Sequence, residues 1–231
     1  MIAAAGSGQR LGAGGPKAFV PLAGRAMVEW SIAACRNAPS VRSIVVACPA
    51  GHVHDLAGGD VGVVDGGATR AESVANALAA VGTEHVVIHD AARPLVTPEL
   101  IEDVVATLAA NPDAAGAIAA TLVTDTIKRS ATGAELTAIK GTNAVRVVEQ
   151  TVDRSCLWAA QTPQVFRVEP LREALAADPQ RLATATDEAM MVEATGGTVL
   201  IHPSPAENLK VTTPLDLKLA ELLLAERAAG A

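Results

Sequence analysis

The chain has 231 residues, half of them hydrophobic but only 2% aromatic, and carries a formal net charge of −7. That length suits one large α/β domain or two small ones, with a core built mostly from Ala, Val, Leu and Ile. The acidic balance argues against a nucleic-acid surface, and neither an apolar run near the roughly 18 residues of a membrane span nor a leader-like opening is present.

Cys35, Cys48 and Cys156 are odd in number and far apart, which fits reduced thiols in a cytoplasm better than a disulfide frame or a zinc site.

The first motif comes at once. Ala3-Ala4-Ala5-Gly6-Ser7-Gly8-Gln9-Arg10-Leu11 is a turn of small residues, and Gly15-Pro16-Lys17 follows. Such a turn lets the backbone approach a bulky anion with its N–H groups aimed at phosphate oxygens. Arg10 and Lys17 stand where they can fold back over the same anion. A Walker A loop would end in Gly-Lys-Ser/Thr, whereas Pro16 precedes Lys17. The dinucleotide fingerprint G-x-G-x-x-G also fails, since Gly6, Gly8 and Gly12 are spaced one residue too wide and Cys48-Pro49 stand where an acid is wanted. An ordinary glycine turn is the plain alternative; the two cations favour a triphosphate cradle. Only Met1-Ile2 precede the loop, so its strand is expected to be very short or to begin upstream of Met1.

Ala26 to Arg36 reads as a helix stopped by Asn37-Ala38-Pro39. The β-branched run Ser43 to Cys48 is a buried parallel strand, and Val61 to Val64 is a short one. His52 and His54 lie between them; without a third ligand they make a poor metal site. In Gly66-Gly67-Ala68-Thr69-Arg70-Ala71-Glu72-Ser73-Val74, Thr69 and Glu72 form a capping box, with Val74, Leu78 and Val81 as an apolar stripe. A capped helix explains most of this stretch. The double Gly with Arg70 and Ser73, where strand meets helix, points to a ligand at the carboxyl end of a sheet.

Val86-Val87-Ile88 runs into His89-Asp90-Ala91-Ala92-Arg93-Pro94, a carboxylate and a guanidinium in the same crevice. Asp90 is a candidate for a divalent metal or a ribose or substrate hydroxyl; an Asp–Arg pair tying the loop down is the plain alternative. Thr97-Pro98 opens a helix with Leu100, Val104 and Leu108 inward. Gly116 to Val123 is a central strand. From Asp125 to Arg154 the pattern alternates around Gly133 and Gly141, which predicts antiparallel ribbons forming an arm that pairs with another subunit. Leu157 to Phe166 returns to the core. Thr186 is expected to cap a helix through Val192, Thr198 to Ile201 to form a strand, and Thr213-Pro214 to open a final helix burying Leu215, Leu219 and Leu222. No repeat or linker divides the chain, so it reads as a single domain over 1–231 with an arm at about 125–154.

Assembled in order, Ala4-Ala5-Gly6-Ser7-Gly8-Gln9-Arg10-Leu11, Pro16-Lys17, Gly66-Gly67 with Arg70 and Ser73-Val74, His89 to Pro94, Asp125-Thr126-Ile127-Lys128, Thr162-Pro163-Gln164, Thr186-Asp187-Glu188-Ala189 and Asn208 with Lys210-Val211-Thr212 resemble the 2-C-methyl-D-erythritol 4-phosphate cytidylyltransferases of the non-mevalonate isoprenoid pathway. Ala3 departs from the Pro usual there. The resemblance implies an α/β fold: a Rossmann-like, glycosyltransferase-A-like, mostly parallel sheet flanked by helices, with a protruding β-arm. It further implies Mg2+ and a homodimer whose arms cross.

Carried over by motif, Ala4, Ala5, Gly6, Gly8, Gly67 and Ser73 would contact CTP, together with Asp90 and Ala91. Arg10 and Lys17 would grip its phosphates, with Lys210 completing the catalytic set. Asp90, Arg93, Thr162, Thr186 and Lys210 would line the acceptor side, and Thr126 and Arg154 would reach the neighbouring subunit's site. The expected metal ligand is Asp90, or else the CTP phosphates alone. The acceptor, a phosphomonoester, is largely dianionic near neutral pH and needs no base to attack the CTP α-phosphate. A sister enzyme for another polyol phosphate such as ribitol 5-phosphate, a sugar-1-phosphate or molybdopterin nucleotidyltransferase, and a non-catalytic nucleotide-binding protein are the rival readings.

Overall fold

Short β-branched runs become strands and longer runs of period 3.6 become helices. The strands are β1 (Ile2–Ala3), β2 (Pro21–Leu22), β3 (Arg25–Ala26), β4 (Ile44–Cys48), β5 (Val61–Asp65), β6 (His85–Asp90), β7 (Gly116–Leu122), β8 (Lys128–Leu136), β9 (Val145–Thr151), β10 (Trp158–Arg167) and β11 (Val199–Pro203). The helices are α1 (Met27–Asn37), α2 (Arg70–Leu78), α3 (Pro98–Ala109), α4 (Val168–Ala177), α5 (Pro179–Thr184), α6 (Glu188–Ala194) and α7 (Pro214–Ala229). These come from a computed structural model that describes residues 1–6, 8, 11–12, 15–52, 56, 60–136 and 145–230. The chain divides into a main unit, Met1–Ala120 with Ala160–Ala231, and a smaller unit, Thr121–Ala159.

Seven strands form one sheet in the order β11-β7-β10-β6-β1-β4-β5. β1 is parallel to β4 and β6, β4 to β5, and β11 to β7, while β10 runs antiparallel to β6. Although β1 has two residues, it is hydrogen-bonded on both sides, with Ala3 opposite Ala47 and Asp90. That register carries the glycine turn straight off the carboxyl end of the sheet, beside Asp90.

The pleat sends alternate side chains into two cores. Val46, Ala117 and Ala119 pack with Ile32 of α1 and Ile101, Val104 and Leu108 of α3. On the other face Val86, Ile88, Ile118 and Phe166 pack with Val74 and Leu78 of α2, Leu171 and Ala174 of α4, and Met191 and Val192 of α6. With Phe166 the one fully buried aromatic, the fit rests on aliphatic residues. Gly116 is part of it, since a Cβ there would lie 2.4 Å from the Phe166 ring.

Three expectations are corrected. The final helix does not bury Leu215, Leu219 and Leu222, which are 73%, 44% and 56% exposed; Ala220 and Leu224 face the core, with Leu217 and Leu223 against it. Leucines at so many positions of α7 admit more than one apolar stripe, and the small Ala220 marks the face that approaches Leu22. The helix near Thr186 is capped instead by Asp187, whose carboxylate accepts from the Met190 N–H; an ionised acceptor makes the stronger N-cap bond. The stretch from Leu157 reaches the core only at Gln161, for Ala159 and Ala160 are exposed.

In the smaller unit β8 and β9 pair antiparallel with irregular register near Ser130. Every residue of β9 is exposed, including Val145, Val147 and Val148. The expected turn at Gly141 lies outside the described residues.

Candidate active site

The main unit has a cavity of about 400 Å3 at the carboxyl ends of β1 and β6. Three segments wall it: the glycine turn with Lys17, the start of α2, and Asp90 to Ala92 with Lys210.

The turn is built by its own backbone. The Ala4 N–H donates to Ala47 and the Ala91 N–H to Ala3, which ties the strand end down on both sides. The Lys17 N–H donates back to the Gly6 carbonyl at 3.2 Å, closing the loop so that Lys17 lies against its glycines. Gly8 has φ +66° and a Cβ there would fall 2.7 Å from the Lys17 Cβ; both facts require glycine. Arg10 lies outside the described residues, as do Ser7 and Gln9.

The double glycine has a packing cause. A Cβ on Gly66 would lie 2.4 Å from the Ala5 Cβ, and one on Gly67 2.3 Å from the Glu72 Cβ. The β5–α2 loop is thus pressed onto the glycine turn and onto its own helix cap. Thr69 caps α2 by accepting from the Glu72 N–H, and the Glu72 carboxylate accepts from the Ala68 and Thr69 N–H groups. Ser73 is buried, accepting from the Gly67 N–H and donating to the Thr69 carbonyl. It therefore shapes the loop that borders the cavity. The start of α2 adds the positive end of a helix dipole.

Asp90 is the electrostatic centre. Its Oδ1 accepts from Arg70 Nε at 2.9 Å and its Oδ2 from Lys210 Nζ at 2.6 Å. Burial would raise this carboxyl, but the Arg70 and Lys210 charges outweigh it and hold it well below the usual carboxylate range. Arg70 Nη1 also donates at 2.6 Å to both oxygens of Glu188, which is 1% exposed. The two carboxyls respond in opposite directions. Burial pushes Glu188 up, and Arg70 compensates only in part because Asp90 and Asp187 lie nearby. Among the described residues Asp90 has a second cation, Lys210, and Glu188 has Arg70 alone.

A buried layer supports this wall. The Asp90 N–H donates to Thr162 Oγ1. His89 Nε2 faces the Arg93 carbonyl at 3.1 Å and so must carry the proton, leaving Nδ1 to accept from Thr162 Oγ1 at 3.0 Å. Burial pushes His89 down to about 4, which keeps that neutral tautomer. Arg93 Nη1 donates to the Asn208 carbonyl, and the Asn208 amide donates to Gln161 and Thr162. The segment bearing Lys210 is thereby tied to β10.

Of the residues expected at the site, Ala4, Ala5, Gly6, Lys17, Gly67, Ser73, Asp90, Ala91 and Lys210 line the cavity together. Gly8 abuts Lys17. Arg93 and Thr162 are buried beneath the wall, and Thr186 is exposed and outside the lining. Thr126 and Arg154 belong to the smaller unit, where the Arg154 guanidinium donates to the Thr124 carbonyl. The plain Asp–Arg pairing does occur, but Asp90 takes Arg70 in place of its neighbour Arg93. Arg70, expected on the ligand side with the double glycine and Ser73, does line the cavity; Glu188 stands in the motif Thr186-Asp187-Glu188-Ala189 with no role of its own, and nothing in the sequence joins the two. Among the described residues no group of three His, Cys, Asp or Glu could hold a metal. His52 stacks on Phe19 at 5.0 Å, and His54 lies outside the described residues.

A family model described as IspD, 2-C-methyl-D-erythritol 4-phosphate cytidylyltransferase, matches residues 1–226. The enzyme of that name from Synechococcus sp. CC9902 is 38% identical over 98% of this chain and 97% of its own, and that of Saccharopolyspora erythraea is 39% identical over 97% and 98%. The crystal structure of the Thermus thermophilus enzyme is 33% identical, covers 96% of each chain and superposes with a TM-score of 0.76. The mostly parallel sheet flanked by helices, with this likeness, is that of a Rossmann-like nucleotidyltransferase fold. The chain belongs to the 2-C-methyl-D-erythritol 4-phosphate cytidylyltransferase family.

Proposed function

We propose that the chain transfers CMP from CTP to 2-C-methyl-D-erythritol 4-phosphate, releasing pyrophosphate, with the cavity as its active site. One observation carries this reading: the glycine turn, Lys17 and the start of α2 converge on the same cavity as Asp90 and Lys210. Backbone N–H groups, a helix N-terminus and an ammonium are the parts that hold a triphosphate.

The acceptor phosphate is already a dianion, so the enzyme has to bring two anions together and meet the charge that grows on the α-phosphate and the departing pyrophosphate. Lys17 serves the leaving side, with Arg10 of the same loop assigned there by motif. Lys210 is held at the cavity by Asp90 and is assigned to the acceptor phosphate. Ala4, Ala5, Gly6, Gly8, Gly67, Ala91 and Ser73 shape or line the nucleotide half. Arg93 and Thr162 hold Asp90 and the Lys210 segment from behind. Thr186 remains assigned to the acceptor side by motif alone.

Asp90 is the one carboxylate among the described residues that line the cavity, too few for an all-protein cage but enough for a Mg2+ ion carried by phosphates. Each of its oxygens keeps a lone pair beyond the bond it accepts. When bound, Mg2+ would neutralise phosphate charge, with Asp90 the residue to hold it.

The arm supports a homodimer. A two-stranded ribbon is marginal in water by itself, and β9 exposes valines along its length. A second copy would cover them, with Thr126 and Arg154 reaching its acceptor site.

The test is pyrophosphate release with CTP and a panel of polyol phosphates, repeated with ATP, GTP and UTP. Release with CTP and 2-C-methyl-D-erythritol 4-phosphate, falling sharply with other nucleotides or acceptors, is expected. Faster turnover with ribitol 5-phosphate would contradict the assignment of the acceptor.

A further inference from the structure

We propose that Glu188 and Arg70 are a positioning pair that sets the geometry of Asp90 and, through it, the ammonium of Lys210; this rests on the functional reading above. Four residues from four parts of the main unit form one chain of contacts. Glu188 opens α6, Arg70 opens α2, Asp90 ends β6, and Lys210 follows β11.

The contacts run in one line. Arg70 Nη1 donates to both Glu188 oxygens, Arg70 Nε donates to Asp90 Oδ1, and Lys210 Nζ donates to Asp90 Oδ2. A guanidinium held only through Nε can pivot about that bond. Held also at Nη1 by a second carboxylate, its plane is fixed. Asp90 is then pinned on one oxygen and presents the other to Lys210 in one direction. Without Glu188 the pocket would keep the same residues and Lys210 its contact with Asp90, but the direction of that contact would no longer be fixed.

Stability alone is a weak reason for this arrangement. Burying a carboxylate is costly, and well-packed apolar replacements of buried ion pairs are often neutral or stabilising. Glu188 is 1% exposed, and Ala189, Met191 and Val192 of the same helix belong to an apolar core. What the charge adds is direction. A guanidinium bridges the two carboxylates with donors fixed in one plane; a lysine at position 70 would keep the charge without that fixed plane.

The test is Glu188→Gln, nearly isosteric, with Arg70→Lys as the second variant. Each is expected to lower kcat about tenfold and raise the acceptor's KM, because reacting groups held loosely lose rate steeply. The KM for CTP should rise less than the acceptor's, since the glycine turn and Lys17 do not depend on the pair although Arg70 and Asp90 border the same cavity. In an Asp90→Asn background Glu188→Gln should cost nothing more, because its route runs through Asp90. Losses that multiply in the double variant would overturn the proposal. So would a variant whose unfolding midpoint falls while kcat per active site and both KM values hold.

A readout independent of the acceptor's identity is the proton resonance of Arg70 Nη1, the nitrogen that Glu188 holds. It should exchange slowly in the unsubstituted protein and vanish in Glu188→Gln. The same slow exchange in both would overturn the positioning role, whichever substrate the enzyme takes.

Discussion

Gly66→Ala isolates the claim that the β5–α2 loop is pressed onto the glycine turn. The added methyl would sit 2.4 Å from the Ala5 Cβ, 3.1 Å from the Cys48 carbonyl oxygen and 3.1 Å from Ser73 Oγ. Carbon atoms in contact stand about 3.5–4.0 Å apart, so more than 1 Å must be found. None of these neighbours can give it by turning a long side chain, and the Gly66 N–H is itself bonded to the Cys48 carbonyl at 2.7 Å. Overpacking of this kind costs about 1–3 kcal/mol, which at roughly 2–4 °C per kcal/mol for a chain of this size lowers Tm by about 2–12 °C. Ala5 takes the push, and a 1 Å displacement at a reacting site can cost about 10²-fold in rate.

The assays are thermal unfolding and steady-state pyrophosphate release, and the KM for CTP should rise with the fall in kcat. Gly116→Ala is the control. Its methyl strikes the Phe166 ring at 2.4 Å, away from the cavity, so it should lower Tm and leave the KM for CTP unchanged. A Gly66→Ala protein with ordinary Tm and ordinary kcat/KM would refute the close-packing explanation.

Lys17→Ala should lower turnover by about 10²-fold or more, the loss expected for one preorganised charge donor; near-ordinary kcat would remove Lys17 from the mechanism. Leu224→Ala should cost about 2–4 kcal/mol in urea unfolding, and Leu215→Ala, at 73% exposure, less than about 0.5 kcal/mol; the reverse ranking would restore the stripe expected from sequence. His89 supplies a pH dependence. Its folded value is about 4 against an ordinary 6.5, so between those values the unfolded chain binds a proton that the folded chain refuses. Stability therefore falls as pH drops through that window, by about 3 kcal/mol in all. In His89→Gln, which keeps a donor toward the Arg93 carbonyl, the slope of stability against pH should flatten there; an unchanged slope would assign the acid sensitivity elsewhere.

Much of the scaffold was legible because local signals agreed with the final packing. The run Ile44 to Cys48 is buried at every residue, and Thr69 and Thr97 cap the helices that they were expected to cap. The turn at Gly6 and Gly8 announced the cavity. Other features depend on partners far away in sequence. Arg70 and Glu188 are 118 residues apart, and no spacing rule joins them. The double glycine looked like ligand chemistry, yet its immediate cause is the approach of Ala5 and Glu72. In α7 leucines occur on several faces, so period 3.6 alone could not choose the buried one; Ala220 and the neighbouring Leu22 did. Thr186 lost the cap to Asp187 because a carboxylate accepts more strongly than a hydroxyl.

Where the nucleotide sits decides the function of this cavity. A crystal structure with CTP and Mg2+ is the direct measurement. The triphosphate should lie against the Gly6–Gly8 backbone with Lys17 on its phosphates, and the acceptor side should open toward Lys210 and Asp90. CTP lodged away from this cavity, with Lys17 turned to solvent and the Asp90–Lys210 contact untouched, would contradict it.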